Sequence, residues 1–126
     1  MADLPNMNLD ELAVFKSLAG SNDDGPVLML NLNRYGPQAG YPNGTLYREY
    51  MTVLDQLIAE VGGRISWRTN IQGTLVGTQH VHEALGIWYP SHQAFLDIMM
   101  APSAARNMEL RTKAAEHADL HRCDPY

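Results

Sequence analysis

Along residues 45–61 apolar side chains return at spacings of three and four: Tyr47, Tyr50, Met51, Leu54, Leu57, Ile58 and Val61. That spacing draws one apolar stripe down an α-helix. Thr45 is a suitable N-cap, and Gly62-Gly63 ends the helix because glycine takes left-handed dihedrals without strain. A helix with one apolar face needs a partner surface, and its neighbours supply one. Residues 27–34 (VLMLNLNR) are too few for a typical helix and too apolar for a loop, so they read as a strand covered on both faces. Residues 64–76 alternate, with Ile65, Trp67, Thr69 and Ile71 on one side and Ser66, Arg68 and Asn70 on the other. That is a strand with one buried face.

The remaining segments extend this unit. Gly73 and Gly77 suggest a bend, residues 77–80 a turn, and residues 83–89 (EALGIWY) a strand returning as a hairpin partner. Ser91 caps a helix carrying Phe95, Ile98 and Met99. Pro102 interrupts it, and Ser103 caps a continuation with Ala105, Met108 and Ala115. Residues 119–123 read as a short last strand. Ahead of all this, residues 8–20 form a helix, with Asn8 as cap, Glu11 three residues on, Leu9, Leu12 and Phe15 on one face, and Gly20 after its end.

The order is therefore β-α-β-β-α-β behind an extra N-terminal helix. That order predicts an α+β, ferredoxin-like antiparallel sheet with helices on one face and the first and third strands central. A length of 126 residues suits a single domain, divided into a helical extension over 1–25 and a core over 26–123. No element is left to cover the second sheet face. A second copy of the same sheet is the simplest cover, which predicts an isologous homodimer.

Charge narrows the partners. Nine basic residues against fourteen acidic give −5, and a negative field repels phosphate backbones, so no nucleic acid is expected. No apolar run is long enough to span a bilayer, so no membrane partner is expected. Cys123 is the only cysteine, which excludes an intramolecular disulfide. Residues 1–5 show neither the basic nor the apolar region of a signal peptide. Together these features predict a cytoplasmic location.

Three stretches carry a family likeness: VLMLNLNRY, YREYMTVLDQLIAEVGGRISWRTNIQGTLVG and EALGIWYPSHQAFLDIMMAPSAARNMELRTKAAEHADL. Taken together they resemble the domain of unknown function 1330 family of the dimeric α+β barrel superfamily, over about residues 26–123. The resemblance implies a dimeric alpha-beta barrel. The superfamily includes cofactor-free cyclases, isomerases, quinone-forming monooxygenases and haem-degrading proteins. The family has no agreed reaction, so the resemblance assigns no catalytic residue.

Candidate site residues come from the chain itself. Asn31 and Asn33 sit two apart on a central strand and share a face. They either line a pocket or bond to the following loop. Arg34 closes that stretch, free to bind a carboxylate or to pair with a surface acid. Tyr47 and Tyr50 lie on the inner side of the long helix, and Trp67 and Trp88 on strands. These four form either an aromatic wall for a flat ligand or ordinary core packing. The Gly/Pro-rich segment 34–44 is long enough to act as a lid. His80, His82 and Glu83 make an H-x-H-E cluster, but spacing fixes no third ligand, so no metal is expected. His92, in a helix first turn, reads as solvated, and a helix end falls between His117 and His121. No G-x-G-x-x-G, Walker loop, G-x-S-x-G or C-x-x-C occurs, so no cofactor is expected.

The resulting expectation is a small-molecule-binding dimer, in one form a cofactor-independent enzyme on a flat or lipophilic metabolite. His82 would serve as acid/base and Asn31 and Asn33 would orient a carbonyl. Arg34, Tyr47, Tyr50, Trp67 and Trp88 would hold the ligand. A non-enzymatic sensor or carrier, and a purely structural dimer, are the alternatives.

Overall fold

Four strands form one antiparallel sheet: β1 (Val27–Tyr35), β2 (Arg64–Asn70), β3 (Glu83–Tyr89) and β4 (Ala115–Cys123), in the order β2-β3-β1-β4. The structure is a computed structural model and describes residues 6–126. The two most apolar strands are central, as a strand flanked on both edges and covered by helices requires. The helices are α1 (Leu9–Leu18), α2 (Thr45–Glu60), α3 (His92–Asp97) and α4 (Ala104–Ala114), with 3-10 turns at Pro37–Ala39 and Ile98–Met100. The fold is α+β and ferredoxin-like. The signal-peptide reading of residues 1–5 lies outside the described residues.

Alternation along β1 and β3 sorts the core. Val27, Met29, Leu85 and Ile87 are buried beneath the helices, in one core with Ile58 of α2 and Leu110 of α4. The N-terminal helix starts as its cap dictates, with the Glu11 N–H donating to Asn8 Oδ1 (3.1 Å). Phe15 is its buried anchor, packed on Phe95 and on the His92 ring.

Several sequence expectations are corrected. The helix cap is Gly44, and Thr45 is already helical. A Cβ on Gly44 would lie 2.4 Å from the Ala39 carbonyl oxygen and 2.6 Å from Gly40 Cα, so the turn closing the 36–44 segment has no room for a side chain. The second strand stops at Asn70 rather than 76. Residues 71–82 leave the sheet as a loop, with Leu75 and Val76 exposed and Gly77 at φ +114°. The last strand begins at Ala115, directly after α4, so His117 and His121 share a strand. Its residues 115–118 lack strand-like apolar alternation, because β4 is an edge strand whose pairing with β1 supplies what side-chain burial does not.

His92 is buried, not solvated. Asp24, from the loop before β1, accepts from the His92 backbone N–H (2.8 Å), the His92 ring Nδ1 (2.9 Å) and the Gln93 N–H (3.2 Å). Burial raises the Asp24 carboxyl, but these contacts outweigh it and hold the group at about 2.

Candidate functional site

A bulge in β2 decides where the aromatic residues go. Ile65 pairs with Ile87, yet Trp67 pairs with Gly86, so two steps on β2 match one on β3. The extra residue, Ser66, turns every later side chain to the other face. Ile65 stays on the helix side, against the core. Trp67 turns to the helix-free side and lies on Gly86, where a Cβ would fall 2.3 Å from the indole Cε2. Trp88 is on the same side, with the Arg64 guanidinium 4.2 Å from its ring centroid. The single aromatic wall expected from Tyr47, Tyr50, Trp67 and Trp88 is therefore not formed. The two tryptophans stand behind the sheet, and the two tyrosines stand in front of it.

The helix-free face also carries Leu28, Leu30, Leu32 and Arg34 from β1 and Ala84 from β3, in register with His117, Asp119, His121 and Cys123 of β4. Trp67 is 44% exposed. Arg34 sits at the rim, donating from Nε to Glu116 Oε2 (3.0 Å) and from an Nη to the His80 carbonyl (3.4 Å). This is a surface ion pair. Arg34 is not brought to Asn31, Tyr47 or Tyr50.

On the helix side, two polar features stand at different heights. The first is a buried cluster where β1 and β3 meet the 36–44 segment. The Glu83 carboxylate, 2% exposed, accepts from the Tyr35 hydroxyl at one oxygen and from the Tyr47 hydroxyl at the other, both at 2.7 Å. Asn33 Nδ2 donates to the Tyr35 hydroxyl (3.0 Å), while Asn33 Oδ1 is buried without a partner. Burial and the Glu83 carboxylate push both phenols well above the ordinary tyrosine range, so both remain donors. Tyr41 stacks on Tyr35 with centroids 5.0 Å apart, and its own phenol is pushed up by burial to about 12. His82 Nδ1 accepts from the Tyr35 backbone N–H (2.9 Å), which puts the neutral ring's proton on Nε2. The 36–44 segment is thus packed into the fold through Tyr41 and the fully buried Ala39 rather than standing free as a lid.

The second feature is a cavity of about 280 Å³ between the sheet and helices α2, α3 and α4. Its walls are mostly apolar, including Leu54, Leu57, Ile87, Phe95 and Met108. Among the described residues, five side chains with polar atoms also line it: Asn31, Tyr50, Tyr89, Asn107 and Arg111. Asn31 Nδ2 donates to the Met29 carbonyl (3.0 Å). Burial pushes the Tyr50 phenol up, and the nearby Arg111 partly offsets this. A second cavity, of about 360 Å³, opens beside α1 and shares Met29, Phe95, Met99, Arg111 and Leu120 with the first.

The residues chosen from sequence are thereby divided. Asn31 and Tyr50 line the cavity. Asn33, Tyr47 and His82 belong to the Glu83 cluster. Arg34, Trp67 and Trp88 lie on the other face. Sequence reasoning missed Glu83 and Tyr35 as a pair, although each begins or ends a central strand. It also missed Asn107 and Arg111, whose spacing of four on a helix was the available signal. His80 lies in the exposed 71–82 loop, and no group of three or more His, Cys, Asp or Glu that could hold a metal occurs among the described residues. No described helix is long and apolar enough to cross a membrane.

No protein-family model matches the chain, and no curated protein matches it. Similar solved structures exist. The protein RPA0582 of Rhodopseudomonas palustris, of unknown function, has a TM-score of 0.76 and 26% identity, over 99% of this chain and 98% of that one. A dabb family protein with a ferredoxin-like fold from Mesorhizobium loti has a TM-score of 0.59 and 8% identity, over 81% of this chain and 98% of that one. A dimeric ferredoxin-like protein of unknown function from Thermobifida fusca has a TM-score of 0.52 and 9% identity, over 84% of this chain and 96% of that one. The neighbours show the ferredoxin-like fold, and they do not confirm the narrower likeness to the domain of unknown function 1330 family.

Proposed function

We propose that this chain is a small-molecule-binding protein that works as a homodimer and takes its ligand into the cavity between the sheet and the helices. The observation that carries this reading is the cavity itself: apolar walls with a few polar side chains from β1, α2 and α4. A volume of about 280 Å³ is near the lower end of the roughly 300–1,000 Å³ usual for such sites. An apolar cavity of about 150 Å³ is enough for one benzene, so a single ring with a short substituent fits the available space. Dimerisation is supported by the leucine and tryptophan side chains of the helix-free face and by the dimeric description of the Thermobifida fusca neighbour. Native mass spectrometry of the protein as purified, followed by a denatured spectrum, tests both parts. A dimer that loses a small organic mass on denaturation is the expected result. A monomer removes the dimer. A dimer that also fails to bind any small aromatic ligand on titration removes the cavity reading.

A second reading, cofactor-independent catalysis of cyclase, isomerase or monooxygenase type, is favoured by the position of Asn31. On the cavity wall its amide would orient or polarise a ligand carbonyl. In this reading Asn33 and His82 act at a distance, holding Tyr35 and the Glu83 cluster in place. Chemical change in the bound ligand, lost in Asn31→Ala, supports an enzyme. Recovery of the ligand unchanged supports a carrier or sensor in the same cytoplasmic setting.

A further inference from the structure

We infer that the ligand of this cavity is a small apolar monocarboxylate, seated with its carboxylate on Arg111. The inference rests on the reading of the cavity as a binding site. Among the described residues, Arg111 is the only charged side chain lining that space. No acid lies within ion-pair distance of it among the described residues. Its one hydrogen bond to the backbone, from an Nη to the Ala118 carbonyl, is long at 3.5 Å. A guanidinium has five N–H donors in a fixed fork, so most of its capacity is unspent. Neighbouring ion pairs show the contrast. Arg106, on the outward side of the same helix, is bonded to both Glu49 and Glu109.

A second group in the same wall also lacks a partner. Asn107 Oδ1 is buried with no hydrogen bond. Asn107 and Arg111 are four residues apart on α4, one helical turn, and both line the cavity. Beside Arg111 stands the Tyr50 hydroxyl, which the guanidinium approaches and which burial keeps protonated and therefore able to donate. Apart from Asn31 and Tyr89 on the strands, the cavity thus presents its polar groups and a single positive charge along α2 and α4 and apolar carbon elsewhere.

A carboxylate answers this pattern. It accepts two parallel N–H bonds from one guanidinium, a charge-assisted bidentate pairing. A second oxygen lone pair can take the Tyr50 hydroxyl, and the Asn107 amide, turned about its terminal bond, supplies an N–H in place of its orphaned oxygen. A phosphate monoester, with up to two negative charges, would leave charge uncompensated beside one arginine in an apolar space. A neutral ligand would leave the guanidinium unpaired. The rest of the ligand must be apolar and short, because Phe95, Ile98, Met99 and Met108 enclose what space remains.

The test uses the full chain and an isosteric pair, 3-phenylpropionate and 3-phenylpropanamide, titrated by calorimetry at pH 7. The wild-type protein is expected to bind the carboxylate at least tenfold more tightly than the amide. In Arg111→Gln the preference is expected to collapse to within about twofold. Arg111→Lys, which keeps the charge without the fork, should fall between. If Arg111→Gln does not fold, the wild-type ratio and its loss in Arg111→Lys decide the matter. Equal binding of the two probes overturns the carboxylate inference and leaves the cavity reading standing. Binding of neither probe overturns both. A carboxylate preference that persists in Arg111→Gln places the anion elsewhere and also overturns the inference.

Discussion

The two faces of the sheet are built by the same strands and differ in kind. On the helix side, β1 shows Val27, Met29, Asn31, Asn33 and Tyr35, and on the other side Leu28, Leu30, Leu32 and Arg34. The helix side buries polar groups among apolar ones and satisfies most of them internally, as the Glu83, Tyr35 and Tyr47 bonds show. The helix-free side does the reverse and offers leucine and tryptophan where one chain alone meets solvent. Polar groups under cover and apolar groups without cover are the two informative departures from the usual distribution. The first is where the proposed site lies, and the second is the face proposed to pair in a dimer.

An aspartate placed on each face of β1 separates these roles. Val27→Asp puts an unpaired carboxylate into the helix-side core, where Val27 is 1% exposed, and is expected to cost about 4 kcal/mol or more, enough to unfold much of the protein in urea titrations. Leu30→Asp, three residues on and on the other face, is expected to leave the fold intact by circular dichroism and to weaken dimerisation at least a hundredfold by sedimentation. If Leu30→Asp unfolds the chain while Val27→Asp does not, the faces have been assigned the wrong way round.

The next largest effect is expected at the buried carboxylate. Glu83→Ala leaves the Tyr35 and Tyr47 hydroxyls without acceptors, at about 1–3 kcal/mol each, so a loss of about 3–5 kcal/mol in denaturant stability is expected. Glu83→Gln retains one acceptor oxygen and should lose less than half as much. Equal losses in the two variants would show that shape, not hydrogen bonding, is what Glu83 supplies.

A smaller effect, with a definite pH signature, is expected at Asp24. Its carboxyl is held at about 2, below the ordinary aspartate value. A depressed carboxylate adds stability that is complete above the unfolded-state value near pH 4 and is lost as pH falls through about 2. Asp24→Asn should therefore cost about 1–2 kcal/mol at pH 7, and the variant and wild-type curves should converge towards pH 2. A constant gap across that range would show that the carboxylate charge is not the stabilising element. The smallest effect is expected at the rim. Arg34→Ala removes an exposed pair with Glu116 and should change stability by no more than about 1 kcal/mol. It should leave binding of any cavity ligand unchanged in the same calorimetric titration.

Much of the architecture was legible in the chain because it depends on local pattern. The apolar stripe of α2, the Asn8 cap, the Gly62 stop and the two apolar strands all read correctly, and their order implied the sheet. The site was only partly legible. Asn31 and Tyr50 line the cavity, but Trp67 was placed on the wrong face because strict alternation assumes that no residue is inserted, and Ser66 is inserted. His92 looked solvated because its buried partner, Asp24, is 68 positions away. Glu83 looked like one end of a histidine cluster until Tyr35 and Tyr47 came to it from distant elements.

The periodicity of hydrophobic residues and the chemistry of caps and glycines act within a few residues, so they fixed the elements, their order and the central place of β1 and β3. Which face each side chain meets depends on register, and register is set by pairing between strands far apart in the chain. The Ser66 bulge, the convergence of three tyrosines near one carboxylate, and the meeting of Arg111 and Asn107 with Tyr50 around one cavity exist only once those pairings are made.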